Sequence, residues 1–237
     1  MIHLFKAEFL KFKANRLLHG ILFVCMGNVL LQSYFAWKES GIPSTAVWIT
    51  GLDLFVSVVL PIMIPIFVTF SCYVDQENHG IKLFTLKGIS GKKLFYSKWI
   101  FCIWIMNFYF FLGFFITIPF MLFRGVGIFK VILIAAPYIL SSSAVIVLLI
   151  NISFLLNVIS KSYLIPPVIG LIGVIMGSFN VGKWLSQWNP FSYLSRLLFL
   201  KAMSRADLLI ILSMVLLSFY LLKISEKLYV RNLDYEE

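Results

Sequence analysis

The amino-acid sequence predicts an all-α protein that crosses a membrane repeatedly. Three observations predict it. Of 237 residues, 61% are hydrophobic and 13% charged, whereas an ordinary soluble domain is nearer half apolar and a quarter charged. Mean hydropathy is +0.96, and a soluble fold of this length could not hide that much apolar surface. The apolar residues also come in continuous runs, each close to the ~20 residues that a helix needs to cross a bilayer core. A membrane β-barrel would show short alternating segments instead. Finally, Lys and Arg sit mostly between the runs. That placement orients spans and meets anionic lipid, so the net charge of +10 is not read as a nucleic-acid surface.

The elements follow in chain order. Residues 1–16, MIHLFKAEFLKFKANR, carry Ile2, Phe5, Phe9 and Phe12 at helical spacing, with Lys6, Lys11, Lys13 and Arg16 outside that stripe. This predicts an amphipathic helix lying at the membrane interface. Residues 17–36 form the first span. The run is too long for a signal-peptide core and no A-x-A site follows, so it reads as retained. Residues 47–73 form the second span, interrupted by Pro61 and Pro65, and residues 99–123 the third. The fourth, 131–159, is long enough to tilt or to extend past the lipid; the fifth, 163–181, opens at Pro166 and Pro167. The sixth is 207–224. Six spans put both termini, the loop 74–98 and Lys161 on one side, with thirteen of the twenty Lys and Arg residues. The positive-inside rule makes that side cytoplasmic. The last external loop, 182–206, contains Trp184, Trp188 and the turn signal Asn189-Pro190. It predicts short helices at the outer interface, with a shallow re-entrant segment as the alternative.

Catalytic signatures are missing. The chain has no G-x-x-x-x-G-K-[ST] loop, no H-E-x-x-H and no G-x-S-x-G, so no nucleotide or hydrolytic site is predicted. His3, His19 and His79 are too scattered for a metal site. Cys25, Cys72 and Cys102 lie in apolar runs without C-x-x-C spacing and read as small buried hydrophobes. Asp53 is the one carboxylate well inside a span. An ionisable group there is costly and is a functional candidate by default, though near the outer end it can also reach headgroups. With Asn28, Gln32 and Asn151 it makes a candidate polar path; such residues also join helices.

The loop 74–98 is the outlier. Asp75, Glu77, Lys82, Lys87, Lys92, Lys93 and Lys98 interrupt a mostly apolar chain. Gly80 and Gly88 bracket Ile81–Lys87, about two helical turns. Ile81, Leu83, Phe84 and Leu86 offer apolar knobs beside Lys82 and Lys87, the makings of a docking element.

Here the residues carry a resemblance. Glu77, Gly80, Ile89, Ser90, Lys92, Lys93 and Lys98 resemble the loop after the second span of ABC-2-type transporter permeases. Ile81, Gly88 and Gly91 stand where that pattern has Thr, Pro and Arg. The QWNP of residues 187–190 and the layout over the whole chain are similar too. Length and the Phe-, Ile- and Lys-rich style look most like lantibiotic-immunity and bacitracin-resistance permeases of Gram-positive bacteria. The resemblance implies a type V exporter-like architecture with six spans. It implies two separate ATP-binding-cassette ATPases, which carry ATP and Mg, and a second permease chain, identical or homologous. It makes Ile81–Lys87 a coupling helix, with Glu77, Gly80, Ile81, Leu83, Phe84 and Lys87 at the ATPase dock. It also implies an amphipathic peptide substrate taken from the membrane lipid and expelled outward. Export of a lipid, drug or ion fits the same layout. A secondary transporter would need a paired broken-helix repeat, for which Pro61/Pro65 and Pro166/Pro167 could be argued; a membrane scaffold would show no ATP-dependent transport.

Overall fold

A computed structural model describes residues 2–39, 41, 43, 46–77, 88–178, 189–194 and 205–234. Among these residues the fold is helical, with no strand. Helix α1 is Ile2–Ala14 and α2 is Arg16–Lys38. Asn15 separates them; its carbonyl takes a hydrogen bond from the ring of His19 at 2.8 Å. Asn competes with helical backbone bonding, which suits it to such a break.

The second apolar run folds as α3, Val47–Leu54, a π-helical segment Phe55–Val59, and α4, Leu60–Glu77. Pro61 accounts for the π-segment. Its ring crowds the carbonyl four residues back, and it has no N–H to give that carbonyl. The Leu60 N–H reaches instead to the Phe55 carbonyl, five residues back. Two long helices follow, α5 over Gly91–Phe123 and α6 over Ile128–Ser160. Each has 33 residues, about 50 Å at 1.5 Å per residue, more than a bilayer core requires. The turn between them uses Gly125 at φ +78, where a side chain would be strained. Helix α7 is Ile165–Ser178, Pro190–Ser192 is a single 3-10 turn, and α8 is Arg205–Asp234.

Among the described residues, four helical stretches are long and apolar enough to cross a membrane: His19–Lys38, Val47–Tyr73, Gly91–Phe123 and Val131–Ser160. They correspond to the first four expected spans. The described part of the fifth, α7, is 14 residues, about 21 Å of helix against a hydrocarbon core of about 30 Å. The sixth expected span lies within α8, which is not among the four.

The helices share one core. Helix α8 runs along α6, α2 packs on α3 and α5, α4 lies between α6 and α7, and α1 rests on α5. Phe67, Phe95, Phe101, Phe110 and Phe154 are fully buried with Leu52, Leu60, Ile64 and Ile146. Other large apolar side chains face outward, among them Phe23, Phe35, Phe115, Phe129, Leu140 and Leu216. An apolar exterior over an apolar core belongs in lipid. Small residues allow close approach in places. A β-carbon on Gly51 would stand 2.3 Å from the Ser33 hydroxyl, and one on Gly173 would stand 2.5 Å from the Phe191 ring.

Candidate functional site

The charged insert predicted as a loop over 74–98 is helical at both ends: residues 74–77 belong to α4 and 91–98 to α5. Gly80, Ile81, Leu83, Phe84 and Lys87, the predicted docking residues, lie outside the described residues. Glu77 closes α4. The structure does describe what stands at the two arms of the insert, and there it places a buried ion pair.

Three elements build it. On α1, the buried residues are Leu4, Glu8 and Phe12, four apart and therefore on one face. Of the expected apolar stripe, Phe12 is on that face, Phe5 is half-buried and Phe9 is exposed. Glu8 thus points inward. On α5, Lys98 is fully buried, with its side chain 0% exposed against 4% for Glu8. On α4, Ser71 completes the group. The Lys98 Nζ donates to Glu8 Oε1 at 3.1 Å and to the Ser71 carbonyl at 2.6 Å. The Ser71 hydroxyl donates to Glu8 Oε2 at 3.1 Å, and Lys11 Nζ to Oε1 at 2.9 Å.

Aromatic rings enclose this cluster. Phe12 meets Phe67 at 5.3 Å and Phe101 at 6.2 Å between centroids, and Phe5 meets Phe101 at 5.5 Å. The space left among Glu8, Lys11, Phe12, Phe67, Phe70, Ser71 and Phe101 is about 10 Å³, at the lower limit for one water. A charge in such a place is costly unless paired and hydrogen-bonded. Glu8 and Lys98 are both, so each holds the other in place. The result is a joint: α1 is tied to α4 at Ser71, before the insert, and to α5 at Lys98, the last residue of the predicted loop. It joins three helices through one carboxylate.

A second polar group lies between α5, α6 and α8. The Trp99 ring N–H donates to Asn151 Oδ1 at 2.6 Å. Asn151 Nδ2 donates to the Ser218 carbonyl at 3.0 Å and hydroxyl at 2.6 Å. One turn before Trp99, the Tyr96 hydroxyl donates to Glu226 Oε2 at 2.7 Å. Lys223 and Lys92 reach the same carboxylate at 3.3 and 3.6 Å.

Asn151 binds α5 and α8, and no described hydrogen bond links it to Asn28, Gln32 or Asp53. Asp53 accepts from the Ser57 hydroxyl at 2.8 Å, beside the π-segment. The buried side-chain oxygens of Asn28 and Gln32 have no partner among the described residues, and those two are four apart on α2. The residue of α6 that faces α3 is Tyr138, its ring 4.7 Å from that of Trp48.

Sequence reading missed Glu8. A signal existed: Glu8 is the sole acid among the first 38 residues, and it falls four residues from Leu4 and from Phe12. Lys98 was named as part of the loop pattern, without its partner. Ser71 carried no signal, being one hydroxyl in an apolar helix.

Long apolar helices around a sealed polar joint define a multi-pass helical membrane protein. A family model described as ABC-2 family transporter protein matches residues 4–177, from the start of α1 to the end of α7. The chain belongs to that family. It is accordingly the membrane component of an ATP-binding-cassette exporter, and membership implies an ABC ATPase subunit as partner. No curated protein and no solved structure matches the chain.

Proposed function

We propose that this chain is the six-span permease subunit of a Gram-positive exporter that expels lantibiotic-type antimicrobial peptides from the membrane. Two permease chains, identical or homologous, work with two ATPases, which hold the ATP and Mg. Both termini and the insert face the cytoplasm. Glu77, Gly80, Ile81, Leu83, Phe84 and Lys87 form the dock.

The observation that carries the coupling role is the Glu8–Lys98 pair with Ser71, which straddles the insert. A movement imposed on the insert must enter α4 and α5 at its arms. There the buried pair ties both arms to α1, because a buried charge is costly to part from its counter-charge. The thirteen-to-seven basic asymmetry supports the orientation. The peptide substrate rests on the resemblance to immunity permeases. Within this reading Asp53, Asn28 and Gln32 serve the path, and Asn151, already committed to Trp99 and Ser218, has least to offer a substrate.

The test is a mild-detergent pull-down of the tagged full chain, with mass spectrometry and an ATPase assay. An ATP-binding-cassette subunit should co-purify from wild type and be lost with Phe84→Asp, which puts a charge into the dock. A clean permease with no ATPase, or retention by Phe84→Asp, overturns the docking assignment. Survival under lantibiotic challenge then tests the substrate: unchanged sensitivity on deletion of the gene rejects peptide immunity and leaves export intact.

A further inference from the structure

The cavity between α5, α6 and α8 shares no lining residue with the joint, and of the predicted path residues it meets Asn151. It measures about 190 Å³, is partly open, and is lined by Trp99, Ala144, Val147, Asn151, Val215, Ser218, Phe219 and Leu222. An engineered apolar cavity of ~150 Å³ stays dry and takes up a small hydrocarbon. The polar groups in this wall are already used: Trp99 donates to Asn151, and Asn151 donates to Ser218. What remains toward the space is almost wholly apolar, so it suits hydrocarbon and not a polar ligand.

The same two helix faces continue to a cationic mouth. Lys223 stands one turn beyond Phe219 on α8, and Lys92 two turns before Trp99 on α5, spacings that keep each pair on one face. The helices converge there, since Lys92, Lys223 and Tyr96 all reach Glu226. Both lysine side chains are exposed, 68% for Lys92 and 71% for Lys223. Two ammonium groups against one carboxylate leave a net positive charge. Exposed Lys93 and Lys227 lie alongside in sequence. Lys223 also donates to the Tyr96 hydroxyl at 3.3 Å.

We propose that this groove holds an anionic phospholipid of the leaflet at which α5 begins. One acyl chain enters the cavity beside Ala144 and Val147. The phosphate lies at the mouth, where Lys92 and Lys223 turn from Glu226 to it and the Tyr96 hydroxyl is within the same cluster. The reading commits to lipid because an apolar space and a cationic rim stand in line along the same two helices, as an acyl chain and a phosphate do in one lipid. It is independent of which substrate is exported.

The test uses the purified full chain in detergent. Phosphatidylglycerol or phosphatidylcholine with the same acyl chains is added, and bound lipid is counted by native mass spectrometry. Wild type should retain phosphatidylglycerol in preference. Ala144→Phe should empty the groove of both lipids. Lys92→Gln and Lys223→Gln should each weaken phosphatidylglycerol retention roughly fivefold and leave phosphatidylcholine unchanged. Should Ala144→Phe melt early, Val215→Phe fills the cavity from the opposite wall. Equal retention of the two lipids by wild type overturns the headgroup assignment. Undiminished retention by a folded, cavity-filled variant overturns the site.

Discussion

At the residue scale, the strongest constraint is the pair Glu8 and Lys98, 90 residues apart and both buried. Breaking a buried ion pair by removing one partner costs about 3–5 kcal/mol, a loss that Lys11, also bonded to Glu8, reduces for Lys98→Met. Glu8→Leu or Lys98→Met alone should therefore lower the thermal midpoint in detergent sharply. The double variant Glu8→Leu/Lys98→Met replaces the pair by apolar groups and should recover most of that loss. If the joint serves coupling, the double variant will be stable yet fail to link ATP hydrolysis to transport. Full transport by a stable double variant would reduce the pair to a packing feature. Gly173 makes a second point at this scale. Asn189 Nδ2 donates to its carbonyl at 2.5 Å, and Phe191 covers its α-carbon. Gly173→Ala should cost about 1–3 kcal/mol through overpacking, read as an earlier melt of the same preparation.

At the element scale, helices α5 and α8 are strapped by Glu226. The Tyr96 hydrogen bond chiefly holds its carboxyl below the usual range, helped by Lys223 and Lys92 and opposed by burial. A carboxylate lowered in the folded state stabilises at pH values above its unfolded pKa of about 4.3. That contribution disappears as pH falls through the lower, folded value. The melting temperature of wild type should therefore drop on the acid side, below about pH 4. In Glu226→Gln that component of the drop should be absent. Identical acid-side profiles would show that the strap does not contribute. The π-segment belongs to this scale as well. The two prolines of the second run were legible as interruptions, but which backbone form they would impose was not. Pro61 yields a π-turn because α3 and α4 continue as one packed rod across it; Pro65 is absorbed within α4.

At the scale of the whole molecule, the prediction is one of sidedness. Single-cysteine variants on a background without Cys25, Cys72 and Cys102 should label position 85 from the cytoplasm and position 187 from outside. The reverse pattern would invert the orientation and place the Glu8–Lys98 joint on the outer side, away from any ATPase. The family match over residues 4–177 covers the joint and the insert together. It gives both a place in one working unit.

The class of this protein is written in local properties of the chain. Hydropathy over windows of about 20 residues fixed the helical membrane class and four of its spans. The charged insert was visible for the same reason: it departs from its surroundings over a continuous stretch. What the chain could not announce was partnership. That Glu8 faces inward, that Lys98 meets it, and that Asn151 joins α5 to α8 are consequences of which helices lie side by side. Periodicity gives the face of a helix but not its neighbour. Only packing, which brings residues 90 positions apart to 3.1 Å, turns a lone acid in a basic segment into the buried half of an ion pair.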